Sequence, residues 1–81
     1  MKVMVRYFAS MRDATGVKEE EIELPDGGTI EALIKEAKKR HSMLKSQNRA
    51  IIVSVNGEFG EASRHLEPTD EVAMFPPVSG G

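Results

Sequence analysis

The chain has 81 residues, of which 40% are hydrophobic and 30% charged, with a net charge of -2. That length supports one compact core and no second domain, and the composition is that of an ordinary folded chain rather than a disordered one. Apolar runs are short, so neither a membrane span nor a secretory leader is expected and the chain is read as cytoplasmic. The absence of cysteine removes disulfides, thiolate metal sites and cysteine nucleophiles together. A mildly acidic balance argues against nucleic acid as a main partner, although Lys35, Lys38, Lys39, Arg40, Lys45 and Arg49 make the middle of the chain locally basic. The acidic counterpart is Glu19, Glu20, Glu21 and Glu23, and both clusters are read as solvated faces.

In chain order, Lys2 to Phe8 alternates as a strand, with Val3, Val5 and Tyr7 on one face and Met4, Arg6 and Phe8 on the other. Ala9 to Thr15 predicts one or two helical turns closed by Gly16. Lys18 to Leu24 reads as a second strand, Ile22 and Leu24 facing inward and Glu19, Glu21 and Glu23 outward. Pro25-Asp26-Gly27-Gly28 is a turn, and Thr29 is placed to cap a helix whose Ile30, Leu33, Ile34 and Ala37 form one apolar stripe. A polar loop through Asn48 leads to a buried strand, Ala50 to Val55, and Asn56-Gly57 predicts a two-residue type I′ hairpin into Glu58 and Phe59. Glu71 to Phe75 is the last strand, with Val72 and Met74 inward.

The order strand, strand, helix, strand, short strand, strand predicts one main helix lying across a mixed sheet. Its first and last strands are apolar enough to be central and to pair in parallel. That is an α+β roll of the ubiquitin-like β-grasp kind, occupying residues 1–75, with residues 76–81 as an extended tail ending in Gly-Gly.

Side-chain chemistry is hard to find. His41 and His65 sit in no metal or triad spacing and read as solvated or helix-end residues, while Asp13, Asp26 and Asp70 fall at turns or helix ends. Gly27-Gly28 is turn chemistry, and no phosphate-cradling G-x-x-x-x-G-K-[ST] loop exists. What stands out is the ending, Phe75-Pro76-Pro77-Val78-Ser79-Gly80-Gly81. Pro76 and Pro77 hold an extended segment away from the sheet, and Ser79, Gly80 and Gly81 remove side-chain bulk. Such a tip can thread a narrow channel and deliver one group, the Gly81 carboxylate. That carboxylate becomes an electrophile only once activated, for instance as an acyl adenylate formed with ATP.

Alternation also puts all three phenylalanines on the wet side: Phe8 beside Arg6, Phe75 in line with Glu71, and Phe59 opposite Ser54 across the hairpin. Either loops or the tail cover them, or they form an aromatic docking patch beside the tail root.

These residues resemble the small subunit of molybdopterin synthase, the MoaD family of ubiquitin-like sulfur carriers. The resemblance runs through Val3-Met4-Val5-Arg6-Tyr7-Phe8-Ala9, Val55-Asn56-Gly57, Asp70-Glu71-Val72-Ala73 and the Phe75-to-Gly81 ending, which is its most specific part. It departs at Pro68-Thr69-Asp70, where relatives often place a glycine before the aspartate.

The resemblance implies that the chain binds no cofactor of its own. An E1-like adenylyltransferase would use ATP to adenylate Gly81, and a sulfur donor would convert it to a thiocarboxylate. The charged chain would then dock on the large synthase subunit, in a heterotetramer, through Phe8, Phe59, Phe75 and Arg6. With Pro76, Pro77, Val78, Ser79 and Gly80 threaded into that subunit, it would give sulfur to cyclic pyranopterin monophosphate, building the dithiolene that later binds molybdenum or tungsten. A protein modifier joined through Gly81 to target lysines, a thiamine-pathway carrier and an interaction module with an inert tail are the competing readings.

Overall fold

The computed structural model of the chain describes residues 1–45 and 51–76. Arg49 and Ala50, and Pro77, Val78, Ser79, Gly80 and Gly81 of the tail, lie outside the described residues. Strand alternation produces β1 (Lys2–Tyr7), β2 (Glu19–Glu23), β3 (Ile52–Val55), β4 (Glu58–Phe59) and β5 (Glu71–Phe75). Between them lie α1 (Ser10–Thr15), α2 (Ile30–Arg40) and α3 (Ser42–Lys45). The strands form one mixed sheet in the order β2-β1-β5-β3-β4. β1 and β5 pair in parallel at its centre, Met4 opposite Glu71 through Tyr7 opposite Met74, and every other pairing is antiparallel.

One face of this sheet makes the core. Val3, Val5 and Tyr7 of β1, Ile22 of β2, Val53 and Val55 of β3 and Val72 and Met74 of β5 are buried, as the period-2 pattern requires. α2 crosses that face and buries Ile30, Leu33 and Ala37, with Ile34 half-buried at the margin. Its start is built as expected: Thr29 Oγ1 accepts the Ala32 amide at 3.3 Å. The next free amides are satisfied by the loop after β4, since Ile30 N donates to the Arg64 carbonyl and Glu31 N to that of Ala62, both at 3.0 Å. Among the described residues no helix is long and apolar enough to cross a membrane.

The structure departs from the sequence reading in a few places. The sequence predicts a loop after α2, but the stretch begins with the short helix α3, which buries Leu44. A helix of four residues is too short to carry a periodic signal. β2 is shorter than expected at both ends, although Leu24 remains buried. Asn56 and Gly57 both have positive φ, 54° and 84°, as a type I′ turn demands. The turn at Pro68-Thr69 is closed by Asp70 N donating to the Glu67 carbonyl at 3.0 Å. Thr69 is not among the residues with positive φ, so a glycine is not needed there.

Glu20 is the clearest correction. The sequence predicts a solvated acidic residue there, yet Glu20 occupies the inward phase of β2 together with Ile22, and its side chain is 18% exposed. Its carboxylate accepts the Tyr7 hydroxyl at 2.7 Å and Arg40 Nη1 at 3.3 Å, and it contacts His41 Nε2 directly. Arg40 also donates to the Glu21 carbonyl at 2.9 Å. Residues from the end of α2 are thereby tied to β2 and to the only tyrosine of the core. Burial alone would push the Glu20 carboxyl up; hydrogen bonds from Tyr7 and His41, the His41 charge and the Arg40 hydrogen bond outweigh it and hold the group below its ordinary value. Burial, then the hydrogen bond and charge of Glu20, push the Tyr7 phenol upward.

A second local feature is Ala9, at φ 51° and ψ -128° between β1 and α1. This is the first central position of a type II′ turn, closed by Met11 N donating to the Phe8 carbonyl at 3.0 Å. Only glycine occupies that region without strain, and a side chain there costs about 1–3 kcal/mol.

Ala9→Gly is therefore expected to stabilise the chain by up to about 2 kcal/mol, the relieved strain exceeding the extra freedom glycine gains when unfolded. Chemical denaturation of the variant measures this, and a loss of stability would contradict the strain assignment. Glu20→Gln is expected to cost roughly 1–2 kcal/mol at neutral pH. Because the folded carboxyl is held low, its contribution is present above the ordinary 4.5 and fades as pH falls below that value. The gap between wild type and variant should close in acid, and a gap constant with pH would refute the assignment.

Candidate functional site

The face of the sheet away from α2 is where the sequence-predicted docking residues meet. Because Val5 and Tyr7 point inward, Arg6 and Phe8 point outward; because Val72 and Met74 point inward, Ala73 and Phe75 point outward. Parallel pairing then sets these two rows side by side. Phe8 N donates to the Met74 carbonyl at 3.1 Å, carrying the ladder one residue past β1. The Phe8 and Phe75 rings stack with centroids 4.9 Å apart and planes 10° from parallel. Such a pair contributes about 0.5–1.5 kcal/mol beyond its burial. Both rings are half-buried, each partly covered by the other, so they form a platform and not two free side chains.

Phe59 is different. It lies opposite Ser54, which in turn lies opposite Ala73. On β4, the outermost strand on that side, its ring is 80% exposed, more than any other large hydrophobic residue among those described. The small Ser54 and Ala73 leave a shallow open groove of about 380 Å³, lined also by Met4, Arg6, Phe8 and Phe75. Arg6 projects from the middle of this face and pairs with Glu19 at 3.4 Å, both side chains well exposed. The structure therefore brings Arg6, Phe8 and Phe75 together around one groove and leaves Phe59 standing on the neighbouring edge.

Hydroxyls reach the groove only from Ser54 and Thr69, and no histidine lines it among the described residues. Its charged lining is Arg6 toward one end and Asp70 and Glu71 at the other, so it offers apolar contact between charges and no histidine-activated nucleophile. His41 closes α2 and contacts Glu20, while His65 is exposed with Nδ1 2.7 Å from the Gly27 carbonyl oxygen. Asp70 is structural too: it accepts the Glu67 amide at 2.8 Å and Asn56 Nδ2 at 2.9 Å, clamping the β3–β4 turn to the start of β5.

β5 ends at Phe75, the ring of the stacked pair, and Pro76 directly behind it is half-buried. The chain thus leaves the centre of the sheet at the groove's aromatic end. Sequence reasoning missed Met4 as a member of this groove and Glu20 as a buried anchor. The signal for both was the strand phase, which puts Met4 with Phe8 and Glu20 with Ile22.

Comparison with known proteins bears on the family and the fold. The model of the ThiS family matches residues 5–81. The chain is 39% identical to the molybdopterin synthase sulfur carrier subunit of Homo sapiens, over 99% of this chain and 94% of that protein. Among solved structures it is similar to a putative molybdopterin converting factor, subunit 1, from Pyrococcus furiosus, with 42% identity, a TM-score of 0.85 and coverage of 96% and 99% of the two chains. It is also similar to SAMP1 from Haloferax volcanii, with 25% identity, a TM-score of 0.87 and full coverage of both chains. These are ubiquitin-like β-grasp neighbours with the same mixed sheet and crossing helix. The chain belongs to the ThiS family, in the company of full-length relatives that are molybdopterin synthase sulfur carrier subunits.

Proposed function

We propose that this chain is the sulfur carrier and small subunit of a molybdopterin synthase. One observation carries the reading: the family match extends through residue 81, the Gly-Gly end, on a chain whose last strand is central and runs straight toward that end. In this reading a carboxylate oxygen of Gly81 attacks the α-phosphorus of ATP on an E1-like adenylyltransferase and pyrophosphate leaves. Hydrosulfide attacks the acyl carbon and AMP leaves, giving the thiocarboxylate directly; where the sulfur arrives as the outer atom of a donor persulfide, AMP leaves to give an acyl disulfide, and a second thiol attacks the donor sulfur, forming a disulfide as the thiocarboxylate departs. Pro76 and Pro77 stiffen the departure of the tail, and Val78, Ser79, Gly80 and Gly81 enter the partner's channel. Docking on the large subunit uses the Phe8–Phe75 platform, Arg6 and Phe59. The thiocarboxylate then gives its sulfur to cyclic pyranopterin monophosphate, and the catalytic groups of that step belong to the large subunit.

A second reading has one specific observation behind it, the likeness over full length to SAMP1, a small archaeal modifier protein. There the same activated Gly81 meets a lysine amine of a target instead of sulfur, and an isopeptide bond forms.

Incubation with an E1-like enzyme, ATP and a sulfur source is expected to raise the intact mass by the difference of one sulfur replacing one oxygen. The gain should vanish when Gly81 is deleted or the chain is extended by one residue; no gain under any such condition refutes the carrier reading. High-mass conjugates on a denaturing gel, in place of that gain, would favour the modifier. Phe59→Ala is expected to weaken binding to the large subunit by about 1–3 kcal/mol. Its melting temperature should stay unchanged, because the ring is 80% exposed and supports no core contact. Titration calorimetry and a thermal melt on the same variant check both halves.

A further inference from the structure

We propose that Arg6, Arg12 and Lys18 form a cationic collar at the tail end of the sheet that steers the chain onto an acidic rim around the tail channel of its activating enzyme. The identity of that enzyme rests on the carrier reading above; the collar itself rests on geometry.

Three elements assemble it. Tyr7 N donates to the Lys18 carbonyl at 2.8 Å, which sets Lys18 beside the end of β1. The two turns of α1, ended by Gly16 in the left-handed conformation, fold Arg12 back over the same end. The result is an open cleft of about 290 Å³ lined by Arg6, Tyr7, Phe8, Arg12, Lys18 and Glu19. Its one carboxylate, Glu19, is engaged by Arg6 at 3.4 Å. Arg12 and Lys18 have no carboxylate at ion-pairing distance among the described residues, and both are exposed. Phe8 borders this cleft and the aromatic groove alike, so the collar is continuous with the platform at the tail root.

Isolated surface cations need no explanation. What makes these informative is their place in a chain of net charge -2. The opposite end of the sheet carries Glu23 at the end of β2, Glu71 at the start of β5, and Asp26, Glu67 and Asp70 in the adjoining loops, which outnumber Lys2, the Met1 ammonium and Arg64 there; at the tail end Arg6, Arg12 and Lys18 outnumber Asp13 and Glu19. β1 spans six residues, roughly 20 Å at about 3.3 Å per residue, or some two Debye lengths at physiological salt. The two ends therefore act as separate poles, and an approaching surface feels the sign of the nearer one. An acidic rim attracts the tail end and repels the far end, so the chain arrives with its tail forward. Reach separates this role from the chemistry. Six residues from Pro76 to Gly81 span at most about 20 Å, so the collar meets the channel mouth while the reacting carboxylate lies well inside.

The test measures association of the full chain with an E1-like adenylyltransferase and ATP, by stopped flow at several salt concentrations, together with intact mass after a sulfur source is added. Arg12→Glu with Lys18→Glu is expected to slow association about tenfold or more at low salt and to flatten its salt dependence. Lys35→Glu with Lys39→Glu, the same change of net charge on the exposed side of α2, is expected to slow it less than about threefold. Equal association by wild type and the collar variant, or equal slowing by both pairs, overturns the collar. Charge-dependent binding without sulfur gain keeps the collar and sinks the carrier reading, whereas sulfur gain with charge-independent binding does the reverse. Absence of binding overturns both. A single-stranded oligonucleotide that binds wild type as tightly as the enzyme does, and is lost in the collar variant, would make this a nucleic-acid site and overturn the proposal.

Discussion

Parallel pairing of β1 with β5 is the contact on which the rest of the structure depends. It joins the two ends of the chain in the middle of the sheet, Val5 against Val72 and Tyr7 beside Met74, all buried. Bringing together segments so distant in sequence is not prohibitive, because loop-closure entropy grows by only about 0.6 kcal/mol per doubling of length. Burying each large aliphatic side chain returns about 1.5–3 kcal/mol. Antiparallel pairing then adds β2 on one side and β3 with β4 on the other, and α2 covers the face that β1, β2, β3 and β5 make apolar.

The same pairing decides what the uncovered face can do. With β1 and β5 parallel and in register, the first outward residue beyond each strand's core positions is a phenylalanine, and the two stack where the last strand ends. An antiparallel arrangement of these segments would have placed the rings at opposite ends of the sheet. Instead the aromatic platform and the cations of β1, α1 and the residue before β2 collect at one end, from which the groove floored by Ser54 and Ala73 runs toward Glu71 and Asp70. The strained Ala9 turn belongs to this end as well, between Phe8 and the helix that carries Arg12. The end of the last strand is thus bordered both by stacked rings and by cations.

Glu20 shows how a polar residue secures the other side of the fold. It accepts from β1 through Tyr7 and from the end of α2 through Arg40, and it contacts His41, so three elements meet at one carboxylate. No buried side-chain polar atom is left without a partner among the described residues, which keeps such a cluster favourable where an unpaired charge would not be.

Much of this was legible in the sequence, because period-2 alternation, the Thr29 cap, the Asn56-Gly57 turn and the helical stripe of α2 are local features whose geometry follows from a few adjacent residues. The ending Phe75-to-Gly81 was equally local, since prolines and glycines act on their own backbone. Tertiary structure alone decided three things. It turned Glu20 from one glutamate in an acidic run into the anchor of α2, because its partners lie on other elements. It stacked Phe8 face to face on Phe75, where the sequence left open whether the outward aromatics form one patch or are covered by loops or the tail. It gathered Arg6, Arg12 and Lys18 at the root of the tail. The physical reason is shared: each depends on strand register and on which element crosses which. Those are set by burial of the whole core and not by any short stretch of residues.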